Sequence, residues 1–427
     1  MASAAEAWSV DANEAVTLSF YSPKTGEETA TGIPPTFTYP LYGDAQAIYG
    51  YKDLVVHLKF AQDSMEPAVE ATWAEKAPQI GDVEAEDVLR PLEEHLPYSA
   101  FSGDHDGYVK YLQRREVPFR PPGVLQTTFD HNGRRFEVWR SNINDTNCAQ
   151  LLANMQILVL LYIEGGSPID LNDEVWSNQR WEVFFLYEKM LDDTYAFIGY
   201  CTLYRWYFFD KAIPNQTRVR LSQFLILPQY QREGHGSRFY DAIIQYYLDS
   251  PKVREITVED PSEEFADLRD RRDMLRLGKD PDFLNVKLAD VVSKKFPIKE
   301  MRACAKMPER QFLRCLEMQL FQGLNVKDKK QYKQYRLIVK GRIYKQHSDL
   351  LAQLDRLERI DKLDETYRHV EDDYQRLLLL MKKSSVQEAG EVDKSGKAPK
   401  RIAQESVATA ASSRPTKKVR VQDAEDL

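Results

Sequence analysis

The segment Leu221-Ser-Gln-Phe-Leu-Ile-Leu-Pro-Gln-Tyr-Gln-Arg-Glu-Gly-His-Gly-Ser237 runs from a β-type apolar stretch into a glycine turn, at the point where a helix should begin. Gln231, Gly234 and Gly236 give the spacing Q-x-x-G-x-G. Glycine has no Cβ, so backbone N–H groups in such a turn can approach an anion closely. The helix predicted over Ser237 to Leu248 carries Phe239, Ile243 and Tyr247 on one stripe, with Tyr240, Ile244 and Leu248 beside it. Its N-terminus offers orphan donors and the positive end of a helix dipole, so the segment reads as a pyrophosphate cradle; the bland alternative is a tight loop. No Lys-Ser/Thr pair follows the second glycine, which excludes the nucleotide P-loop. One glycine too few excludes the dinucleotide fingerprint.

Outside this segment, 427 residues predict two or three domains. A composition of 43 % hydrophobic and 29 % charged residues is that of a globular chain. Met1 to Asn13 shows no secretory leader, and the longest apolar stretch, Leu151 to Ile163, is too short to span a bilayer and reads as a buried helix. No membrane association is expected. The net charge of −8 argues against direct nucleic-acid binding and favours a cationic partner. Cys148, Cys201, Cys304 and Cys315 show neither C-x-x-C pairing nor a histidine at ligand spacing, so no metal site is expected and the thiols read as reduced.

Residues 1–133 mix short β-like runs, Ala15 to Tyr21 and Leu54 to Phe60 among them, with Pro/Gly turns. From there the pattern predicts a strand at Phe136 to Arg140, a helix from Ala149 to Tyr162 stopped by Gly165-Gly166, and strands Trp181 to Glu188, Tyr195 to Phe209 and Val253 to Glu259. Mixed strands with a ligand turn in their midst fit an α/β acyltransferase core over 134–275. Residues 276–383 read as helical: Phe283 to Ser293, Glu309 to Gly323, and a long helix from Tyr332 to Met381 whose Leu350, Leu351, Leu354, Leu357 and Ile360 suggest bundle packing. The segment 384–427 has no aromatic residue and reads as a disordered tail with basic clusters at 397–401 and 414–421.

A transferase acting on a lysine amine needs a base. An ammonium with a pKa of about 10.4 is neutral less than about 0.1 % of the time at pH 7. Glu259-Asp260-Pro261 ends the strand next to the cradle, and strand alternation lets only one of the two carboxylates face the amine unless Pro261 breaks the pleat. Glu259 is the preferred base, against the bland reading that both are solvated carboxylates. Glu164, at a helix C-terminus before Gly165-Gly166, is a third candidate, with plain surface exposure as its alternative. Trp181, Tyr200, Tyr204, Trp206, Tyr207 and Phe208 read mostly as core, with some able to line a slot for a cationic side chain. His235 reads as a spacer with no partner fixing its tautomer.

The Q-x-x-G-x-G turn between strand and helix resembles that of the GNAT superfamily of N-acetyltransferases. Ser222-Gln-Phe-Leu-Ile-Leu-Pro228, Gln231 to Gly236, and Ile256-Thr-Val-Glu-Asp-Pro-Ser262 with Leu268-Arg-Asp270 together resemble the type B histone acetyltransferase catalytic subunits, in a fungal form. Leu41-Tyr-Gly-Asp44, Gly50-Tyr-Lys-Asp-Leu54 and Val83-Glu-Ala-Glu-Asp-Val88 are similar to that family's N-terminal domain, and the likeness covers roughly residues 36 to 385.

The resemblance implies a GNAT core between a mixed α/β N-terminal domain and a helical C-terminal domain. It further implies acetyl transfer from acetyl-CoA to lysines in the N-terminal tail of new histone four, carried with its histone three partner. Phe224, Leu225 and Ile226 would offer backbone bonds to pantetheine, and Gln231, Arg232, Glu233, Gly234, His235, Gly236 and Ser237 would hold the pyrophosphate, with Ser262 and Arg271 as further cofactor contacts. Glu259 would be the general base, supported by Asp260 and Glu164, and Asp44, Trp181, Tyr204, Arg205 and Trp206 would hold the histone tail. Asp44 is followed by Ala45-Gln46 where the family often has acids, a departure that weakens the tail-clamp role there. The loop Phe209 to Gln216 falls where a WD-repeat β-propeller chaperone would dock, and the implied location is cytoplasmic and nuclear.

Overall fold

The computed structural model describes residues 8–79, 84–172, 180–209 and 213–392, with side chains to 383. The basic clusters at 397–401 and 414–421 lie outside the described residues, as does part of the loop Phe209 to Gln216.

Six strands form the central sheet, in the order Val253–Val258, Gln216–Ile226, Tyr195–Phe208, Trp181–Lys189, Arg134–Asn142 and Val124–His131. All neighbours are antiparallel except Val253–Val258, which runs parallel to Gln216–Ile226. A parallel pair needs a crossover, and the helix His235–Leu248 supplies it. That requirement places the glycine turn at the end of a central strand.

Apolar side chains on both faces of the sheet make it the middle layer. Phe184, Cys201, Leu203 and Val219 pack with Phe239, Ile243 and Tyr247 of the crossover helix. Val183, Phe185, Tyr187 and Tyr200 belong to a second core, shared with the helices Thr146–Met155 and Ile157–Tyr162 and with Val16, Leu58 and Phe60 of an N-terminal four-stranded sheet. Most of the N-terminal module's core is therefore continuous with that of the catalytic sheet, while Tyr21, Ala61 and Leu112 form a small cluster of their own. The boundary expected at residue 133 falls in the turn of a hairpin whose two strands, Val124–His131 and Arg134–Asn142, both belong to the central sheet.

The predicted helix from Ala149 to Tyr162 is two helices meeting at Gln156, whose side-chain oxygen accepts from the Ile169 N–H at 2.5 Å. This bond draws the loop after Gly166 back onto the helix pair. The predicted helix from Tyr332 to Met381 is likewise three helices, Lys329–Gln346, Ser348–Ala352 and Arg356–Val392. Asp355 restarts the last one by accepting from the N–H groups of Leu357 and Glu358. Of the expected packing stripe, Leu351 is buried and Leu354 half-buried, but Leu350, Leu357 and Ile360 are exposed; the buried face is made chiefly by Tyr335, Val339, Ile343, Tyr367 and Tyr374. Residues 379–427 separate as a second unit, of which the end of the helix, to Val392, is described.

Candidate active site

The two parallel strands part company. Pairing runs from Thr217 with Val253 to Leu221 with Val258, and the Glu259 N–H closes the last rung on the Leu221 carbonyl at 2.9 Å. Beyond it no described strand pairs with that edge of Ser222–Ile226. Ser222 is an extra residue in the pairing with Tyr195–Phe208, where Thr202 faces Gln223 and Leu203 faces Leu221. Such a bulge re-aims the residues around it. After it, the Leu225 carbonyl points toward Gly199 on the neighbouring strand, where a Cβ at Gly199 would come within 2.2 Å of it. Backbone alternation then turns the polar groups of Phe224 and Ile226 to the open edge, while those of Leu225 serve the sheet.

A cavity of about 450 Å³ opens at the split. Glu164, Asp170, Glu259 and Asp260 line it, with Trp181, Tyr204, Trp206, Arg220, Ser222 and Gln223. Glu259 and Asp260 both reach it because the extended strand ends at Val258 and Asp260 takes a left-handed φ of +25° before Pro261. Strict alternation would have sent one of them away. The Ser222 hydroxyl donates to Glu259, and Arg220 lies 3.4 Å from the other carboxylate oxygen while its guanidinium stands over the Trp206 ring at 5.0 Å. Glu164 comes from the opposite wall, beyond the helix that ends at Tyr162. Tyr39 of the N-terminal module holds that wall by accepting from the Gly165 N–H at 3.1 Å, and Gln223 donates to the Ser167 carbonyl at 2.8 Å.

Trp181, Tyr204 and Trp206 form an aromatic row, with ring centroids 5.0 and 4.8 Å apart. Arg205, between two of them in sequence, points through the other face of the sheet. It donates to Glu182 at 2.6 Å, and that buried carboxylate also accepts from Arg140 and the Tyr247 hydroxyl. Successive side chains of a strand lie on opposite faces, so Arg205 cannot join the row. It braces the crossover helix. Asp44 is exposed on the turn after the helix Tyr39–Tyr42 and is not among the cavity-lining residues.

The glycine turn lies at the far end of the open edge. Arg232 and Gly234 are both left-handed, with φ of +63° and +82°, and Gln231 ties the turn to the strand by donating to the Ile226 carbonyl at 2.8 Å. The side chain of Gln231 is thus committed to the turn. Gly234 caps the helix, and His235, Gly236 and Ser237 are its first three residues, whose N–H groups have no intrahelical acceptor. A Cβ on Gly236 would lie 3.1 Å from Leu268 and 3.8 Å from Phe224. His235 buries its ring against Phe136, and Glu233 meets its Nε2 at 3.2 Å, so the tautomer has a partner after all. Burial holds this imidazole below its ordinary range, with Glu233 opposing the shift. Ser262 caps the helix Glu263–Leu277 by accepting from the Phe265 N–H, and Arg271 donates from Nε to the Asp267 carbonyl one turn back.

Three family models match the chain: "Histone acetyl transferase HAT1 N-terminus" over residues 8–164, "Acetyltransferase (GNAT) family" over 154–267, and "Fungal HAT1, C-terminal" over 270–325. The histone acetyltransferase type B catalytic subunit of Aspergillus oryzae is 31 % identical, the match covering 95 % of this chain and 93 % of that protein. The catalytic subunit of Schizosaccharomyces pombe is 35 % identical, over 88 % and 94 % respectively. That of Pyricularia oryzae is also 35 % identical, over 87 % and 91 %. The chain belongs to the histone acetyltransferase type B catalytic subunits.

As a member of that family it is an acetyltransferase built on the GNAT fold. The N-terminal family region runs to residue 164 and so takes in the helix pair and Glu164, in keeping with the core that the module shares with the catalytic sheet. Arg220 and Ser222 carry no signal in the sequence. They meet Glu259 only because a bulge and a parallel pairing 37 residues apart bring Ser222 and Glu259 together.

Proposed function

We propose that this type B catalytic subunit transfers acetyl from acetyl-CoA to lysines in the N-terminal tail of newly made histone four, with Glu259 as general base. The observation that carries the reading is the convergence of Glu164, Glu259 and Asp260 on one cavity at the open strand edge that leads to the glycine turn. A cluster of carboxylates attracts a cationic side chain, and the aromatic row gives its methylene stem a surface. Glu259 takes a proton from the lysine ammonium, directly or through one water. The neutral amine attacks the thioester carbonyl, the C–N bond forms, the C–S bond breaks, and the second amine proton passes to the departing sulfur, so that the amide is neutral and coenzyme A leaves as the thiol.

The N–H groups of the turn at Arg232 to Ser237 fit a pyrophosphate, because a left-handed glycine and the open start of a helix aim donors at one place. The backbone of Phe224 and the N–H of Ile226 fit the pantetheine arm, the Ile226 carbonyl being held by Gln231. A WD-repeat propeller subunit is the expected partner, docking by the hairpin end, where Tyr207, Phe209 and Ile213 are exposed. The protein is expected in cytoplasm and nucleus, with the basic tail clusters as import signal. Deleting residues 386–427 should lower the nuclear fraction of a tagged protein and leave peptide acetylation intact; unchanged localisation would assign the clusters no such role.

Acetyl-CoA consumption with a histone-four tail peptide, with spermidine and with no acceptor tests the substrate. Turnover should require the peptide. Preference for spermidine would indicate a polyamine acetyltransferase, and no turnover with either would indicate a silent histone-binding scaffold.

A further inference from the structure

The helix whose N-terminus forms the glycine turn has a cation at its other end, supplied from outside the acetyltransferase core. Lys306 donates from Nζ to the carbonyls of Tyr247 at 2.9 Å, Leu248 at 2.9 Å and Ser250 at 2.5 Å. That accounts for all three ammonium hydrogens. The last carbonyls of a helix lack intrahelical partners and carry its negative end, so an ammonium there satisfies both needs at once.

The main chain of Lys306 is anchored as well. It is left-handed, with φ of +50°, where it closes the helix Ile298–Ala305. Its carbonyl accepts from the Ile256 N–H at 2.8 Å, on the strand Val253–Val258 that leads to Glu259. One residue thus fastens the crossover helix and the diverging strand, the two elements that flank the split. A second tie, from the Tyr240 hydroxyl to Asp273 of the helix Glu263–Leu277 at 3.2 Å, fastens the middle of the same helix.

We propose that Lys306 is a positioning residue for acetyl-CoA: by fixing the C-terminal end of the crossover helix, it sets where the N-terminal N–H groups meet the pyrophosphate. The proposal rests on the pyrophosphate reading of the turn. A helix of 14 residues is about 21 Å long, so a swing of about 3° about one end displaces the other by about 1 Å. Hydrogen bonds to a bound anion weaken steeply over such a displacement. On this account, one task of the helical region after residue 276 is to hold the cradle in register.

Lys306→Met keeps the apolar stem and removes the donors. Its affinity should be measured for acetyl-CoA and for acetyl-pantetheine, which lacks the pyrophosphate. The dissociation constant for acetyl-CoA should rise at least fivefold and that for acetyl-pantetheine less than twofold, with kcat at saturating acetyl-CoA within twofold of wild type. Lys306→Arg, which keeps a cationic donor, should stay within twofold for both. Equal weakening for the two probes, or no change for either, overturns the proposal. If wild type binds both probes alike, the pyrophosphate reading itself is wrong and the proposal falls with it, an outcome visible before any variant is made.

Should Lys306→Met fail to fold, Lys306→Gly suits the left-handed backbone and carries the same prediction. Wild type gives an independent test. Acetyl-CoA, but not acetyl-pantetheine, should slow amide hydrogen exchange at Asp249 and Ser250, which lie at the Lys306 end of the helix. Exchange there that ignores acetyl-CoA contradicts the coupling.

Discussion

Ser222 donates its hydroxyl hydrogen to the carboxylate of Glu259 across the point where their strands separate. The bond orients the carboxylate toward the cavity and leaves Arg220 on its other oxygen. A hydrogen bond to a charged group is worth about 1.5–3 kcal/mol. Ser222→Ala should therefore lower the turnover rate by about tenfold, with acetyl-CoA affinity near wild type. A turnover rate equal to wild type would mean that the hydroxyl does not orient the base.

The two cradle glycines should differ. Gly234 is left-handed, which costs an alanine about 1–2 kcal/mol or forces the turn to relax. Gly236 sits in the helix, and its added Cβ asks only that the Leu268 methyl give by a few tenths of an ångström. Calorimetry should find acetyl-CoA binding weakened about tenfold or more in Gly234→Ala and less in Gly236→Ala. The reverse order would place the close contact at Gly236 instead.

Neighbours on one strand should separate binding from stability. Trp206→Ala removes part of the cavity wall and should raise the peptide KM about tenfold with little change in thermal midpoint. Arg205→Met leaves the buried Glu182 short of a partner and should lower the midpoint by several degrees, since breaking a buried ion pair costs about 3–5 kcal/mol. The assignment of faces fails if Arg205→Met changes KM alone.

Acid should loosen the fold near the glycine turn. His235 lies against Phe136, Tyr230 and His131, with Glu233 as its one facing carboxylate and Arg134 nearby, and burial lowers its pKa. The unfolded chain then binds the proton first, near its ordinary pKa of about 6.5, so stability is full above that value and is lost as pH falls toward the folded value. His57 and His95 are shifted the same way, also chiefly by burial. Urea midpoints should fall from pH 7 to pH 5, and less steeply in His235→Phe. Equal slopes would remove His235 from the account.

The glycine turn was legible in the sequence because its requirements are local: a strand, left-handed positions and a helix start lie within 17 residues. Glu259 was legible as a strand-end acid, yet the sequence could not decide between it and Asp260. The left-handed backbone at Asp260, which lets both face the cavity, depends on tertiary context. Arg205 departs from the expected tail-binding role because a strand divides the consecutive residues Tyr204, Arg205 and Trp206 between two faces. Of the stripe from Leu350 to Ile360, Leu351 is buried and Leu354 half-buried, whereas Leu350, Leu357 and Ile360 stay exposed, because the chain breaks into two helices there and the spacing does not continue along one face. Arg220, Ser222 and Lys306 act through contacts between distant segments, and nothing in their immediate sequence marks them.

The account stands on Glu259 taking the proton from the acceptor lysine. Glu259→Gln keeps the shape and the contact with Ser222 while removing the base. The direct measurement is the single-turnover rate of acetyl transfer to a histone-four tail peptide, with both enzymes saturated by acetyl-CoA. The account predicts a fall of about 10²–10⁴ at pH 7 with acetyl-CoA affinity unchanged. A Glu259→Gln enzyme that transfers acetyl within threefold of the wild-type rate would contradict it.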